Sequence, residues 1–237
     1  RDLHLSSRRQ RQMCIRDRDN TGKYTSLLWE PNEYINIMVY PFTDSQILGI
    51  STFPYSLKDF FLEGTQQVSA SWITLENLSF PYCISINSSY IYEQSTDERI
   101  NQNDAAITLA HELGHYLGLR HVFSEGGTTS MCTDTDYCKD TPSYNRSEYE
   151  QWLNNLDKQN KYQLKDLAKR YSCEKGEYEA HNIMDYAYCF YNEITLEQRK
   201  RIRHILNYSP LIPGPKESRI DTRGVQGRLN LPICIMK

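Results

Sequence analysis

His111, Glu112, His115, Gly118 and His121 stand at the spacing HExxHxxGxxH. Residues four apart on a helix lie one above the other at a rise of about 6 Å, so His111 and His115 can offer two imidazole nitrogens to one metal ion. Glu112, beside the first of them, is placed to take a proton from a metal-activated water. Gly118 falls where a residue tolerant of positive φ ends a helix at least cost and lets the chain turn back. His121 then returns from outside the helix as a third nitrogen. Three protein ligands leave a fourth position for water or substrate, which is the arrangement of a catalytic rather than a structural Zn2+. The expected cofactor is one Zn2+ on His111, His115 and His121, with Glu112 as general base.

Two further segments narrow the reading. Asp136-Tyr137-Cys138-Lys139-Asp140-Thr141-Pro142 and Asn182-Ile183-Met184-Asp185-Tyr186 come after the histidine motif. With it, they resemble the Asp-Thr-Pro segment and the Met-turn of the pappalysin family of metzincin metallopeptidases, although Thr135 stands where that family has Gly. A weaker similarity reaches Leu28–Ile37, so the resemblance runs from about Tyr24 to Tyr208. It implies an α+β, metzincin-like catalytic domain: a twisted, mostly parallel sheet packed on an active-site helix, then a loop-rich C-terminal subdomain. Met184 would form an apolar floor under the metal without ligating it. Tyr186 would reach the cleft and donate to the oxyanion formed when water attacks a peptide carbonyl. The function implied is that of a secreted zinc endopeptidase acting on protein or peptide substrates; the alternative is a secreted binding protein that keeps the zinc and lacks turnover. In members that favour Lys or Arg after the cut, an acidic residue precedes the cysteine after the Met-turn. Ala187 and Tyr188 precede Cys189 here, so a basic preference is expected to be weak or absent.

The resemblance also bears on the loop after the third histidine. Asp134, Asp136, Asp140 and the Thr141 oxygen suit Ca2+, a hard cation that takes oxygen ligands, and equally suit solvated acids that cap turns. Of seven cysteines, Cys14 lies in an atypical head, and the even number that remains is compatible with three bridges and an oxidising compartment. Carried over by position, Cys132 pairs with Cys173 and Cys138 with Cys189, which leaves Cys83 and Cys234.

The elements that must hold these residues are a sheet and a helix. Tyr34–Tyr40, Gln46–Ser51, Gln67–Ile73 and Tyr82–Ile86 are short β-branched or aromatic runs bounded by Pro, Asn and Ser, and read as strands. The zinc helix is predicted to start at Asn103 or Asp104 as N-cap. Ala106, Ile107, Ala110, Leu113 and Leu117 recur at helical spacing to pack on the sheet. Ser147–Tyr171, highly charged, reads as one or two surface helices. Thr195-Leu196-Glu197-Gln198 resembles a capping box opening a last helix to about Asn207. His181 and His204 read as structural.

Charge and composition bound the remainder. Residues 1–20 read as a basic, unstructured head, foreign sequence or the remnant of a prosegment. Its first 18 residues carry six Arg and two Asp, leaving about −7 of the total −3 on the rest, which argues against a nucleic-acid partner. The body divides into an N-terminal subdomain over 21–121, a C-terminal subdomain over 122–208 and a tail over 209–237. No apolar run approaches the roughly 18 residues of a membrane span. The expected location is secreted, cell-surface or periplasmic, and oligomeric state is not legible.

Overall fold

The computed structural model describes residues 27–72, 82–92, 94–123, 135–157, 160–172, 174–214 and 216. Its first strands come from the runs that alternation and β-branching mark out. Strand β1 (Ile37–Tyr40) is stopped by Pro41, and β2 (Gly49–Ser51) comes next. Then come β3 (Tyr55–Leu57), β4 (Gln66–Val68) and β5 (Ile84–Asn87). All four residues of β5 are buried, as suits a strand covered on both faces. It is the centre of a sheet of order β1-β5-β2, in which β1 runs parallel to it, Ile37 opposite Ile84, and β2 runs antiparallel, Gly49 opposite Ile86. The described sheet is therefore mixed, while β3 and β4 form a separate parallel pair. The run expected as a strand over 67–73 pairs only as far as Val68 and then coils into a 3-10 turn, Ala70–Trp72.

Helix α1 (Ala105–Tyr116) packs on β2 and β5. Asp104 does precede it, but its side chain makes no cap: Asp104 Oδ1 accepts from Ser95 N at 2.6 Å, tying down the preceding loop instead. Of the predicted apolar stripe, Leu113 and Leu117, with Leu109, pack against a cluster of Tyr82, Ile84, Ile86, Tyr116, Ile205, Leu211 and Ile212. Ala106 is exposed, and the buried positions include His111, Glu112 and Gly114. The helix buries its chemistry as well as its grease.

Beyond the zinc motif lie α2 (Arg146–Asn154), α3 (Leu164–Leu167), the antiparallel pair β6 (Lys169–Ser172) and β7 (Gly176–Glu179), and α4 (Leu196–Tyr208). The segment read as surface helices thus contains a strand as well, and it holds Arg170, a fully buried arginine. The capping box is present: Thr195 Oγ1 accepts from Gln198 N, and Gln198 Oε1 accepts from Thr195 N. Leu119, Val122, Phe123, Tyr144, Tyr149 and Met184 make a second cluster. Leu211 and Ile212, at the start of the tail, are buried in the first.

Candidate metal centre

The helix stop works as the sequence predicts. Gly118 takes φ +87°, Leu119 N donates to Gly114 O and Gly118 N to His115 O, each at 2.9 Å, the paired bonds of a Schellman ending. The reversal brings His121 back over the helix. His111 Nε2 lies 3.2 Å and His115 Nε2 3.0 Å from His121 Nε2. Ligands held about 2.0–2.1 Å from a tetrahedral Zn2+ stand about 3.3 Å apart, so both contacts to His121 suit that ion, and the three nitrogens lie within 4.8 Å of one another. Among the described residues these histidines are the group of His, Cys, Asp or Glu side chains placed to hold a metal.

The outer nitrogens set the tautomers. His111 Nδ1 pairs with Ile183 O at 2.7 Å and His115 Nδ1 with Leu119 O at 2.9 Å. A carbonyl accepts only, so each Nδ1 carries the proton and each Nε2 presents its lone pair. Burial, then the charges of His111, Arg146 and Arg120, hold His121 well below the usual imidazole range, and it stays neutral as a ligand must. Glu112 is buried, and burial pushes its carboxyl up to about 8, while a cation held by the neighbouring histidines would favour the carboxylate that a general base needs. Strand β2 crosses directly over it: a Cβ on Gly49 would meet Glu112 Cγ at 2.6 Å.

The Met-turn lies against this group. Met184 is fully buried, and Gly114 has no Cβ because one would run into Met184 Sδ. The carbonyl preceding Met184 is the one that orients His111. Tyr186 brings its ring centre to 4.4 Å from His121 and 5.4 Å from His111. The turn is held from below: Asn182 Oδ1 accepts from Met184 N and from Gln198 Nε2, both at 3.0 Å, while its Nδ2 donates to Gln198 Oε1.

Other expected residues do different work. Asp136 Oδ1 accepts from Cys138 N and its Oδ2 from Thr141 Oγ1, while Asp140 Oδ2 accepts from Glu197 N at the start of α4. These oxygens, expected on Ca2+, cap the loop and the helix, and calcium is not shown; Asp134 lies outside the described residues. Cys138 and Cys189 are buried free thiols and not a disulfide, a correction to the pairing implied by position. Cys189 Sγ instead donates to Asn182 O at 3.3 Å. Burial pushes both thiols up to about 12. Cys83 is likewise a buried free thiol. Cys132, Cys173 and Cys234 lie outside the described residues.

Arg170 went unmarked in the sequence because nothing in a charged run distinguishes a buried arginine from exposed ones. Its Nη2 donates to the carbonyls of Tyr186, Ala187 and Tyr188 at 3.2, 2.8 and 3.5 Å. Its Nε lies 3.4 Å from Asp185 Oδ2, and Asp185 Oδ1 accepts from Tyr144 Oη at 2.6 Å. Ala187 and Tyr188 both take positive φ, 43° and 47°, so this clamp holds a wall that local preference would not keep.

A helix-borne imidazole pair completed from beyond a glycine stop, over a methionine floor, is the metzincin arrangement of a metallopeptidase. Residues 64–207 match the family described as pregnancy-associated plasma protein-A, and the chain belongs to that family of peptidases, the pappalysins. An extracellular metalloprotease of Arthroderma otae is 31% identical over 188 residues, covering 78% of this chain and 55% of that protein. One from Arthroderma benhamiae is 30% identical over the same shares. The chain thus spans about half the length of these curated relatives. Among solved structures, mature mirolysin of Tannerella forsythia in complex with a cleaved peptide is 23% identical, covering 74% of this chain and 53% of that one, with a TM-score of 0.43. A promirolysin mutant from the same organism is 22% identical, covering 76% and 48%, at 0.46.

Proposed function

We propose that this domain is a zinc endopeptidase that works outside the cytoplasm. The observation that carries the reading is the convergence of three imidazole nitrogens, two of them 3.2 and 3.0 Å from His121 Nε2 and all within 4.8 Å of one another, with Glu112 buried on the helix turn beside them. His111, His115 and His121 would hold Zn2+, which when bound supplies Lewis acidity toward water and the scissile carbonyl. Glu112, next to His111 on the same helix, takes the proton of the attacking water and returns it to the leaving amine. Tyr186, packed against His121, donates to the oxygen on which negative charge develops. Met184 keeps the underside of the helix dry and apolar. The extracellular location is supported by the names of the Arthroderma relatives.

The test is a zinc-to-protein ratio on purified protein with a casein digestion assay. One zinc per chain is expected, with digestion lost on chelation. Glu112→Ala should keep the zinc and lower turnover by about 10²–10⁴-fold. Digestion that persists without zinc, or undiminished in Glu112→Ala, overturns the reading.

A further inference from the structure

Arg146, the first residue of α2, takes no part in holding the metal or moving the proton, yet it stands at the edge of the site. Its guanidinium carbon lies 4.5 Å from the centre of the Tyr186 ring and 5.0 Å from that of Phe123. Those two rings in turn lie 4.4 and 4.7 Å from the ring of His121. The guanidinium is therefore no farther from the His121 ring than the two Tyr186 distances laid end to end, about 9 Å, which is under three residues of extended chain. Cation–π contact with two ring faces inclined at 56° to each other holds the guanidinium in place and leaves its outer donors for a carboxylate. Nε is taken by Glu150 Oε1, one turn on at 2.6 Å. Nη1 and Nη2 make no hydrogen bond to any described residue, and the side chain retains 30% of its exposure. A half-exposed pair at i,i+4 is a weak one, and Glu150 is itself 47% exposed, so it does not exclude a second carboxylate. Ala187 and Tyr188 carry no acidic group, and Asp185, which feels the charge of Arg146, is buried and held by Arg170 and Tyr144.

We propose that Arg146 is a specificity-determining residue, pairing through its Nη groups with an Asp or Glu side chain of the substrate within about two residues of the scissile bond. The proposal rests on the peptidase reading and names the substrate class for the same site.

The test gives the zinc-loaded protein a peptide library and reads the cut sites by mass spectrometry. Asp and Glu should be enriched at one position within two residues of the cut. Paired peptides carrying Glu or Gln there should then differ about five- to tenfold in kcat/KM, chiefly through KM. That ratio should fall toward one in Arg146→Gln and survive in part in Arg146→Lys, which keeps the charge. The same peptides titrated calorimetrically into the Glu112→Ala protein give the ratio without turnover. A merely structural role for Arg146 would move both peptides together and leave the ratio intact, and that result overturns the proposal. So does a library profile without acidic enrichment; in either case cleavage still occurs and the peptidase reading stands. Failure to cut any library peptide overturns the peptidase reading, and this one with it.

Discussion

At Gly114 one hydrogen atom separates the zinc helix from the methionine beneath it, because any Cβ there would collide with Met184 Sδ. Gly114→Ala sets two effects against each other. Alanine gains about 1 kcal/mol of helix propensity, whereas overpacking a closed site costs about 1–3 kcal/mol. Met184 is fully buried, so a shift of its thioether must disturb packed neighbours; strain should win, and thermal unfolding should fall by about 2–4 °C per kcal/mol lost. With Met184→Ala in place, the alanine at 114 should cost nothing further; equal losses in both backgrounds would show that the methionine is not what the glycine accommodates. The five motif positions were legible because ligand spacing is a property of one helix and its stop. The seat of Gly114, the clamp of Arg170 and the stacking of Arg146 depend on partners far along the chain, which no local pattern reveals.

Among the elements, α4 shows how a local signal can carry a distant duty. The capping box at Thr195 and Gln198 could be read directly from the sequence. What could not be read is that the Gln198 amide also exchanges two hydrogen bonds with Asn182, sixteen residues earlier, and so fastens the Met-turn to a helix terminus. Gln198→Ala should therefore cost more than a cap. Losing the cap is worth about 0.5–2 kcal/mol, and leaving the buried Asn182 amide unsatisfied about 1–3 kcal/mol. A total near 2–4 kcal/mol is expected from urea unfolding, with weaker zinc binding, since Asn182 also fixes Met184 N. A loss below 1 kcal/mol would mean that the two sites are not coupled. The same logic explains the N-terminus of α1, where the expected cap is not made. Asp104 has the right chemistry for a cap, but Ser95 N offered a partner across a loop, and tertiary geometry decided between them.

Across the whole molecule, the turn that follows the helix of His111 and His115 is tied to distant segments by arginines that span long separations in sequence. Arg201 donates to Gly118 O and Glu63 O, and Arg120 donates to Gly64 O. Sequence periodicity is silent on such contacts, although it placed the sheet, the zinc helix and the last helix within a few residues. The consequence for stability is sharpest at the metal. His111 and His115 each turn an unprotonated Nε2 toward His121 Nε2, at 3.2 and 3.0 Å, and a single imidazole proton cannot serve both contacts, so the folded arrangement should depend on zinc for part of its free energy. An ion that binds only the folded chain stabilises it by about 4 kcal/mol when free zinc is a thousandfold above its dissociation constant. For a chain of this size that corresponds to a thermal shift of about 8–16 °C. Chelation should therefore lower the midpoint by roughly this amount, reversibly on adding zinc back, and His121→Ala should abolish the response, because it removes the ligand common to both short nitrogen contacts. Midpoints that coincide with and without chelator would show that the imidazoles meet without holding an ion, and the metal centre would have to be abandoned.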